Sequence, residues 1–366
     1  MMFKLKDIII KSKLALSFKE FLIICLLAFG CNNSELSDLK EIQVIKGTET
    51  DLYLSEIASS INIIQLETNP ESLISSIYDL KIFQDKIFVK DRNKQILVFD
   101  KEGNFIRNLV QQGDGPMETK TVNSFEIDGK SGKIYISGLN KLLTYSKDQN
   151  FLEEKSFSIN LNHLTMLENK LFAIAEYNMN PIEKGFTNET ILFEMSPELE
   201  FKDSISLRKI VLDQKIILGF HNRNYISRVG DKKYVYIPTP PTDKIFRDTL
   251  YEIKDKILKP NLKLNFGVDQ FTDNGNKAIL IRNVYVSKDY LLCEYDHDNK
   301  KKFFLYHFKN AKGYNLNEGF LDDQGDKVVL RPLDLNNNVF YYTKTKEFSV
   351  VTSEELNPEI GIVKLN

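Results

Sequence analysis

The fold is decided by the stretch KIFVKDRNKQILVFDKEGNFIRNLVQQGDGPME, Lys86–Glu118. It contains two short apolar runs, Ile87–Val89 and Ile96–Phe99, which are rich in β-branched and aromatic residues and bounded by polar ones. Runs of this length suit a buried helix or a buried strand equally well. The turn chemistry favours strands, because Asp100 can begin a type I turn and Gly103 supplies the positive φ of a glycine bulge. The chain then resumes as a return strand.

Similar units follow downstream and predict a β-propeller, in which neighbouring blades cover both faces of each apolar strand. Equivalent positions in the units are Ile87, Ile134, Leu171, Tyr234, Tyr290 and Val328. Their spacing is irregular, and the excess residues fall in Glu176–Glu189, Leu207–Gly230 and Pro238–Asp248. We therefore predict an all-β fold, a single six-bladed β-propeller of four-stranded antiparallel blades. Glu56–Thr68 is expected to complete the last blade and close the ring.

Two sequence segments carry a family resemblance. The segment IIQLETNPESLI (Ile63–Ile74) precedes the first unit, which ends with the residues Gly113–Glu118. Farther on, Asp248–Ile253 is followed by Lys263–Gly267. This combination resembles the six-bladed, NHL-like β-propeller lipoproteins of Gram-negative bacteria that are rich in outer-membrane lipoproteins, from Asp51 to the C-terminus. The resemblance implies the fold and an envelope location, but propellers host many unrelated functions.

The N-terminus has the features of a lipoprotein signal. Several lysines precede an apolar stretch, Phe21–Phe29, that is too short to span a bilayer comfortably. Leu27–Cys31 resembles a lipobox, which implies a lipid attached to Cys31. We predict a signal peptide at 1–30, a polar tether at 31–50 and the propeller at 51–366. The expected location is the cell envelope, anchored by lipid to the outer membrane; an ordinary signal peptide with an incidental cysteine is the alternative, and the face of the membrane stays open.

Composition excludes some classes of function. The formal net charge of −2 creates no field that would attract nucleic acid, so no nucleic-acid partner is expected. After signal cleavage and acylation of Cys31, Cys293 is the one remaining thiol and cannot form an internal disulfide. The fold must therefore be held by its core.

Candidate chemistry is sparse along the sequence. The histidines His163, His221, His297 and His307 show no metal-ligand spacing, and Cys293 with His297 lies in a strand-to-turn region. No G-x-S-x-G motif occurs. Gly113–Pro116 could bind an anion through its backbone amides, although a simple turn is favoured. We therefore expect no metal and no cofactor.

The sequence favours a binding module over an enzyme. Expected partners are a glycan, a peptide or an envelope protein, bound at the channel mouth or on the loops Glu176–Glu189, Gly219–Gly230 and Pro238–Asp248. The candidate binding residues are Asp91, Asn93, Asn178, Asn180, His221, Arg223, Tyr225, Arg228 and Asp243. The alternative is a metal-assisted hydrolase or lyase in the propeller channel, which requires that several of His163, His221, His297 and nearby acids converge there.

Overall fold

The structure is a computed structural model that describes residues 39–44, 49–92, 95–215, 225–239, 241, 245–345 and 356–366. Its sheets form a ring of six antiparallel blades within the unit Glu41–Asn366. The predicted all-β, six-bladed propeller is thus confirmed. Among the described residues, no helix is long and apolar enough to cross a membrane.

The first half of the chain contains an N-terminal segment and three blades. The N-terminal segment contains β1 (Lys40–Gln43), the short helix α1 (Leu54–Ile57) and β2 (Ala58–Gln65). Blade 1 contains β3 (Ile77–Phe83), β4 (Lys86–Asp91), β5 (Ile96–Asp100) and β6 (Phe105–Asn108). Blade 2 contains β7 (Ser124–Ile127), β8 (Ile134–Ser137), β9 (Lys141–Tyr145) and β10 (Phe151–Ser156). Blade 3 contains β11 (Leu161–Leu167), β12 (Lys170–Pro181), β13 (Phe186–Met195) and β14 (Phe201–Leu212).

The second half contains three further blades and a small two-stranded sheet. Blade 4 contains β15 (Ile226–Val229), β16 (Lys232–Val235), β17 (Thr249–Lys254) and β18 (Ile257–Asn265). Blade 5 contains β19 (Ile279–Val286), β20 (Tyr290–His297), β21 (Lys300–His307) and β22 (Lys312–Asn317). The small sheet pairs β23 (Phe320–Leu321) with β24 (Lys327–Val328). Blade 6 contains β25 (Arg331–Asp334), a 3-10 turn (Leu335–Asn337), β26 (Val339–Lys344) and β27 (Glu359–Leu365).

The ring is closed by pairing the N-terminal strand with the C-terminal one. Strand β2 is the fourth strand of blade 6 and lies antiparallel to β27, with Ile64 opposite Ile360. This confirms the expected closure. Upstream, β1 adds a fifth strand to blade 4 beside β18, within the range predicted as a tether. Between these strands, Thr50 donates its backbone N–H to the Asn315 carbonyl of blade 5 at 2.8 Å.

The hydrophobic core is divided among the six interfaces between neighbouring blades. Strand β5 shows why its sequence is continuously apolar. Ile96 and Val98 pack toward blade 2, whereas Leu97 and Phe99 pack toward blade 6, and all four are fully buried. Alternate side chains of a strand point to opposite faces, so a strand between two blades needs apolar residues at every position.

The predicted turn after β5 has the expected chemistry. The Asp100 carboxylate accepts hydrogen bonds from the backbone N–H of Glu102 at 3.0 Å and of Asn104 at 2.8 Å. Gly103 has φ +93°, and a Cβ there would lie 2.3 Å from the Gln65 carbonyl oxygen. Only glycine satisfies both conditions, since other residues rarely adopt this φ and would clash.

Two segments differ from expectation. The run Lys327–Leu330, expected in blade 6 at the position equivalent to Ile87, instead pairs partly with β23, and the strand of blade 6 at that position is β26. The expected loop Glu176–Glu189 is mostly strand, because β12 and β13 continue as a long hairpin to a turn near Gly185. In both places, the pairing partner is the neighbouring strand in the sequence.

Candidate functional site

The first strands of the blades surround a central cavity of about 930 Å³. Equivalent strands of a propeller run in the same direction, so all turns between first and second strands lie at one end, here called the turn end. The opposite end, here called the loop end, carries the connections between second and third strands. The cavity opens toward the turn end, since its walls include Phe83 at the end of β3 and the turn residues Gly129 and Asn169.

The cavity is lined by both polar and apolar side chains from blades 1, 2, 3, 4 and 6. Strand β11 shows the cause: Leu161, Leu164 and Leu167 are buried between blades, whereas His163 and Thr165 border the cavity. The polar lining residues are Asp79, Lys81, Glu126, Asp128, Lys130, His163, Thr165, Asn169, Arg228, Asp334, Asn336 and Asn337.

The wall formed by blades 1 and 2 has balanced charges. Lys81 lies 3.4 Å from Glu126 and 3.9 Å from Asp79, measured from Nζ to the carboxylate oxygens. Burial disfavours the charged form of Lys81, but Glu126 and then Asp79 outweigh burial and raise the pKa of the lysine. The charge of Lys81 is therefore balanced by the carboxylates of Glu126 and Asp79.

The wall formed by blades 3 and 4 is cationic. Arg228, on β15, donates from Nη1 to the Met166 carbonyl oxygen at 3.3 Å. Its cross-strand partner on β16 is Lys233, which forms an ion pair with Glu168 in the turn of blade 3. Hydrogen bonding and then charge attraction from Lys233 lower the pKa of Glu168. Arg228 borders the central cavity, whereas Lys233 and Glu168 line a separate pocket of about 270 Å³ between the same two blades.

A turn from blade 6 closes part of the ring at the turn end. The Asn336 side-chain oxygen accepts a hydrogen bond from the Gly230 N–H of blade 4 at 2.7 Å, and Leu335 O accepts one from Lys288 N of blade 5 at 2.9 Å. Asn338 has φ 56° and donates to the Asp289 carboxylate at 2.7 Å. These bonds fix the turn across three blades, and the turn supplies Leu335, Asn336 and Asn337 to the cavity wall.

Toward the loop end, His163 connects the cavity to a polar pair. Its ring stands edge-to-face with Tyr225 at 5.8 Å between centroids. The Tyr225 hydroxyl donates to the Glu176 carboxylate at 2.6 Å, and Glu176 N donates to the Asn162 side-chain oxygen at 3.1 Å. The long hairpin of blade 3 is thereby joined to the first strand of blade 4.

The predicted binding residues that the structure describes do not lie together at one site. Arg228 lines the cavity, and Tyr225 is buried between blades 3 and 4. Asp91 is buried at the end of β4, where its carboxylate accepts a hydrogen bond from Gln95 N at 3.0 Å. Asn178 and Asn180 lie on β12 in the long hairpin toward the loop end. The remaining predicted residues, Asn93, His221, Arg223 and Asp243, and the lipid site Cys31 lie outside the described residues.

Several cavity residues were not anticipated from the sequence. Asp79, Lys81, Glu126 and Asp334 belong to the first strands of blades 1, 2 and 6, of which those of blades 1 and 2 have polar residues two positions apart. The usable signal was a period-two polar pattern, such as Asp79 with Lys81, immediately before each stronger apolar run. The apolar second and third strands dominated the pattern instead.

Metal-ligating groups do not cluster within the described part of the chain. Cys293 and His297 lie four residues apart on β20, which separates their Cα atoms by about 13 Å in an extended strand. Cys293 is fully buried, and burial raises the pKa of its thiol. Of the described histidines, His163 lines the cavity, whereas His297 and His307 belong to β20 and β21 of blade 5.

A buried ion pair fastens blade 5 to blade 6 beside the channel. Arg331 donates from Nη1 to the Glu294 carboxylate at 2.6 Å, and both side chains are nearly inaccessible. Asn283 and Lys301 also contact this carboxylate, at 3.0 and 3.2 Å. Burial works against the charged carboxylate, but Arg331, then Lys301 and Asn283, more than offset it and lower the pKa of Glu294 to about 2.

Fold and cavity together define a six-bladed β-propeller with a central polar cavity. The chain belongs to the family described as a domain of unknown function, DUF4934, whose model matches residues 39–364. No curated protein sequence matches the chain significantly.

Solved structures resemble the chain in fold. The crystal structure of a candidate exported protein from Bacteroides fragilis has a TM-score of 0.62 at 16% identity and covers 90% of this chain and 99% of that chain. The Neurospora crassa Pan2 WD40 domain has a TM-score of 0.44 at 10% identity, covering 79% and 75%. The extracellular domain of a candidate one-component system from B. thetaiotaomicron has a TM-score of 0.42 at 12% identity, covering 81% and 35%. The first of these likenesses supports the propeller fold, and identities this low bear on nothing else.

Proposed function

We propose that the protein is a ligand-binding propeller of the cell envelope whose central cavity receives a glycan fragment. The supporting observation is the cavity itself, about 930 Å³ in volume and lined from five blades by amides, carboxylates, cations and a hydroxyl. Ligand sites are typically concave, about 300–1,000 Å³ in volume, and combine apolar walls with a few convergent polar groups. Side chains that both donate and accept hydrogen bonds, such as Asn169, Asn337 and Thr165, suit the hydroxyls of a sugar.

The same proposal places the protein on the outer membrane through a lipid on Cys31. Its support is the lipobox-like sequence Leu27–Cys31 after a lysine-rich, apolar N-terminus. Lipid labelling of cells that express the wild type and Cys31→Ala tests this step. Labelling that persists in the variant would contradict anchoring through Cys31.

The binding proposal is tested by a thermal-shift screen of residues 32–366. Probes are neutral and acidic oligosaccharides, short peptides and divalent metals. A probe present at about 100 times its dissociation constant stabilises the fold by roughly 2.7 kcal/mol. Thr165→Trp should obstruct the cavity beside Thr165 and remove the shift, whereas Thr343→Trp, on an exposed position of β26, should preserve it.

The outcomes separate the candidate functions. A shift with an oligosaccharide that Thr165→Trp removes supports the proposal. A shift that survives in Thr165→Trp places the ligand elsewhere, and a shift with peptides alone replaces the ligand class. A metal-dependent shift would favour the alternative of a metal-assisted hydrolase or lyase. If nothing binds, small-ligand binding is contradicted and a protein partner becomes the next hypothesis.

A further inference from the structure

We infer that the ligand of the central cavity carries an oxyanion group, such as a carboxylate, and that Arg228 binds it. The inference rests on the proposed function, because it specifies the ligand of the same cavity. Two independent observations at the wall of blades 3 and 4 point to an anion.

The first observation is the state of the Arg228 side chain. A guanidinium has five N–H donors in a planar fork that matches the two oxygens of a carboxylate, sulfate or phosphate. Within the described residues, the hydrogen bond of the Arg228 guanidinium is the one to the Met166 carbonyl, and no carboxylate lies within 4 Å. The side chain is exposed and borders the cavity. Most of its donors are therefore available to a ligand.

The second observation is a pair of like charges across two strands. Arg228 on β15 lies directly opposite Lys233 on β16, so both side chains project from the same face of the blade. That face meets blade 3, where Lys233 pairs with Glu168 beside a separate pocket, whereas Arg228 contacts Met166 and has no described carboxylate within 4 Å. Like charges directly opposite each other destabilise a sheet. Such departures from local rules are expected at functional sites, and a bound anion would relieve this one.

The wall formed by blades 1 and 2 shows why the anion belongs beside Arg228. Lys81 is already paired with Glu126 and Asp79, and the carboxylates there would repel a second anion. An acidic ligand would therefore be oriented, with its oxyanion toward blades 3 and 4 and its hydroxyls toward blades 1 and 2. This polarity also suits a sugar acid better than a uniformly charged polyanion.

The probe is a trimer of galacturonic acid, compared with its fully methyl-esterified form, which has the same skeleton without charge. Both are titrated by calorimetry into the wild type, Arg228→Gln, Arg228→Lys and Arg107→Gln. Arg107 is the matched control, since it is exposed, lies on an outer strand and also donates to a backbone carbonyl, that of Asn108 at 3.4 Å. The structures of all variants are checked by circular dichroism.

The expected result is binding of the acidic trimer to the wild type and to Arg107→Gln. Arg228→Gln should bind it at least about tenfold more weakly, because a bidentate, charge-assisted pair is lost. Arg228→Lys should fall between, since it keeps the charge and loses the planar fork. Affinity for the acidic trimer should also decline as salt rises.

Each other outcome has a defined meaning. Equal binding of the acidic and esterified trimers, unchanged in Arg228→Gln, would overturn the oxyanion inference and leave the proposed function intact. Weak binding that is equally reduced in Arg107→Gln would also overturn it, because net charge alone would explain the effect. If a triglutamate peptide binds through Arg228 and the sugar acid does not, the oxyanion inference stands and the glycan proposal fails. If no probe binds the wild type, both fail.

Discussion

The buried pair of Glu294 and Arg331 predicts a large, pH-dependent contribution to stability. The pKa of Glu294 is about 2 in the folded protein and 4.5 without its environment. This difference of about 2.5 corresponds to roughly 3 kcal/mol of stabilisation when the carboxylate is ionised. Because the folded pKa is the lower one, the stabilisation is fully present above pH 4.5 and is lost as the pH falls toward 2.

Arg331→Met removes the main partner and leaves the Glu294 carboxylate buried. Asn283 and Lys301 still contact it, so the charge is partly compensated. Breaking one side of a buried pair typically costs about 3–5 kcal/mol, and we expect a loss near the lower bound at pH 7. At pH 2.5 the loss of stability should be smaller. The Glu294 carboxyl group is then largely neutral in the unfolded wild type, so the ion pair with Arg331 contributes less to the free energy of unfolding.

Urea unfolding followed by far-ultraviolet circular dichroism, between pH 2.5 and 7, measures this effect. Tryptophan fluorescence cannot be used, because the chain contains no tryptophan. The control is Arg282→Met, which breaks a pair with Asp296 on the same blade whose arginine is 41% exposed. Such an exposed pair should contribute less than about 1 kcal/mol. A loss below about 1 kcal/mol for Arg331→Met at pH 7, or a loss independent of pH, would refute the reasoning.

Three further predictions concern the closure of the ring, the turn at Gly103 and the buried thiol of Cys293. Asn357→Ala should cost about 2–4 kcal/mol in urea unfolding, since Glu67 O, Ser72 O and Ile74 N lose their buried partner. Asn310→Ala removes only one exposed hydrogen bond, from Lys312 N, and should cost less; equal losses would contradict a closing role. Gly103→Ala should cost more than about 1 kcal/mol because of its positive φ and the clash with Gln65 O, whereas Gly129→Ala should not; equal melting temperatures would contradict this. In residues 32–366 the Cys293 thiol should resist iodoacetamide at pH 8 until the protein unfolds, because it is fully buried and its pKa is raised; mass spectrometry that detects rapid labelling of the native protein would contradict this.

The elements that local sequence predicted share a physical feature. The hairpin around Asp100 and Gly103 depends on contacts within a few residues, so turn chemistry alone identified it. Apolar second and third strands were recognised for the same reason, since burial between two blades requires unbroken apolarity. Ring closure was also anticipated, because Glu56–Thr68 had strand character and no blade of its own.

The strands of blade 6 were shifted in the prediction for an opposite reason. The run Lys327–Leu330 is more apolar than Arg331–Asp334, so it was counted in blade 6 and the polar strand β25 was missed. The actual strand β25 is polar because Arg331 is neutralised by Glu294 of blade 5 and Asp334 borders the cavity. Without the partner from another blade, the sequence pattern of β25 is that of a loop.

The cavity could not be derived from the sequence because its walls are built from distant pairs. Lys81 meets Glu126 across 45 positions, Arg228 meets Met166 across 62, and Gly230 meets Asn336 across 106. Each charged residue alone is indistinguishable from a solvated surface residue. What distinguishes the two walls is how the charges are matched: Lys81 has two carboxylates, whereas Glu168 pairs with Lys233 and Arg228 has no described carboxylate within 4 Å. Since only assembly of the blades creates that imbalance, the ligand chemistry of the propeller is a property of its blade interfaces, and the test of the function lies at Arg228.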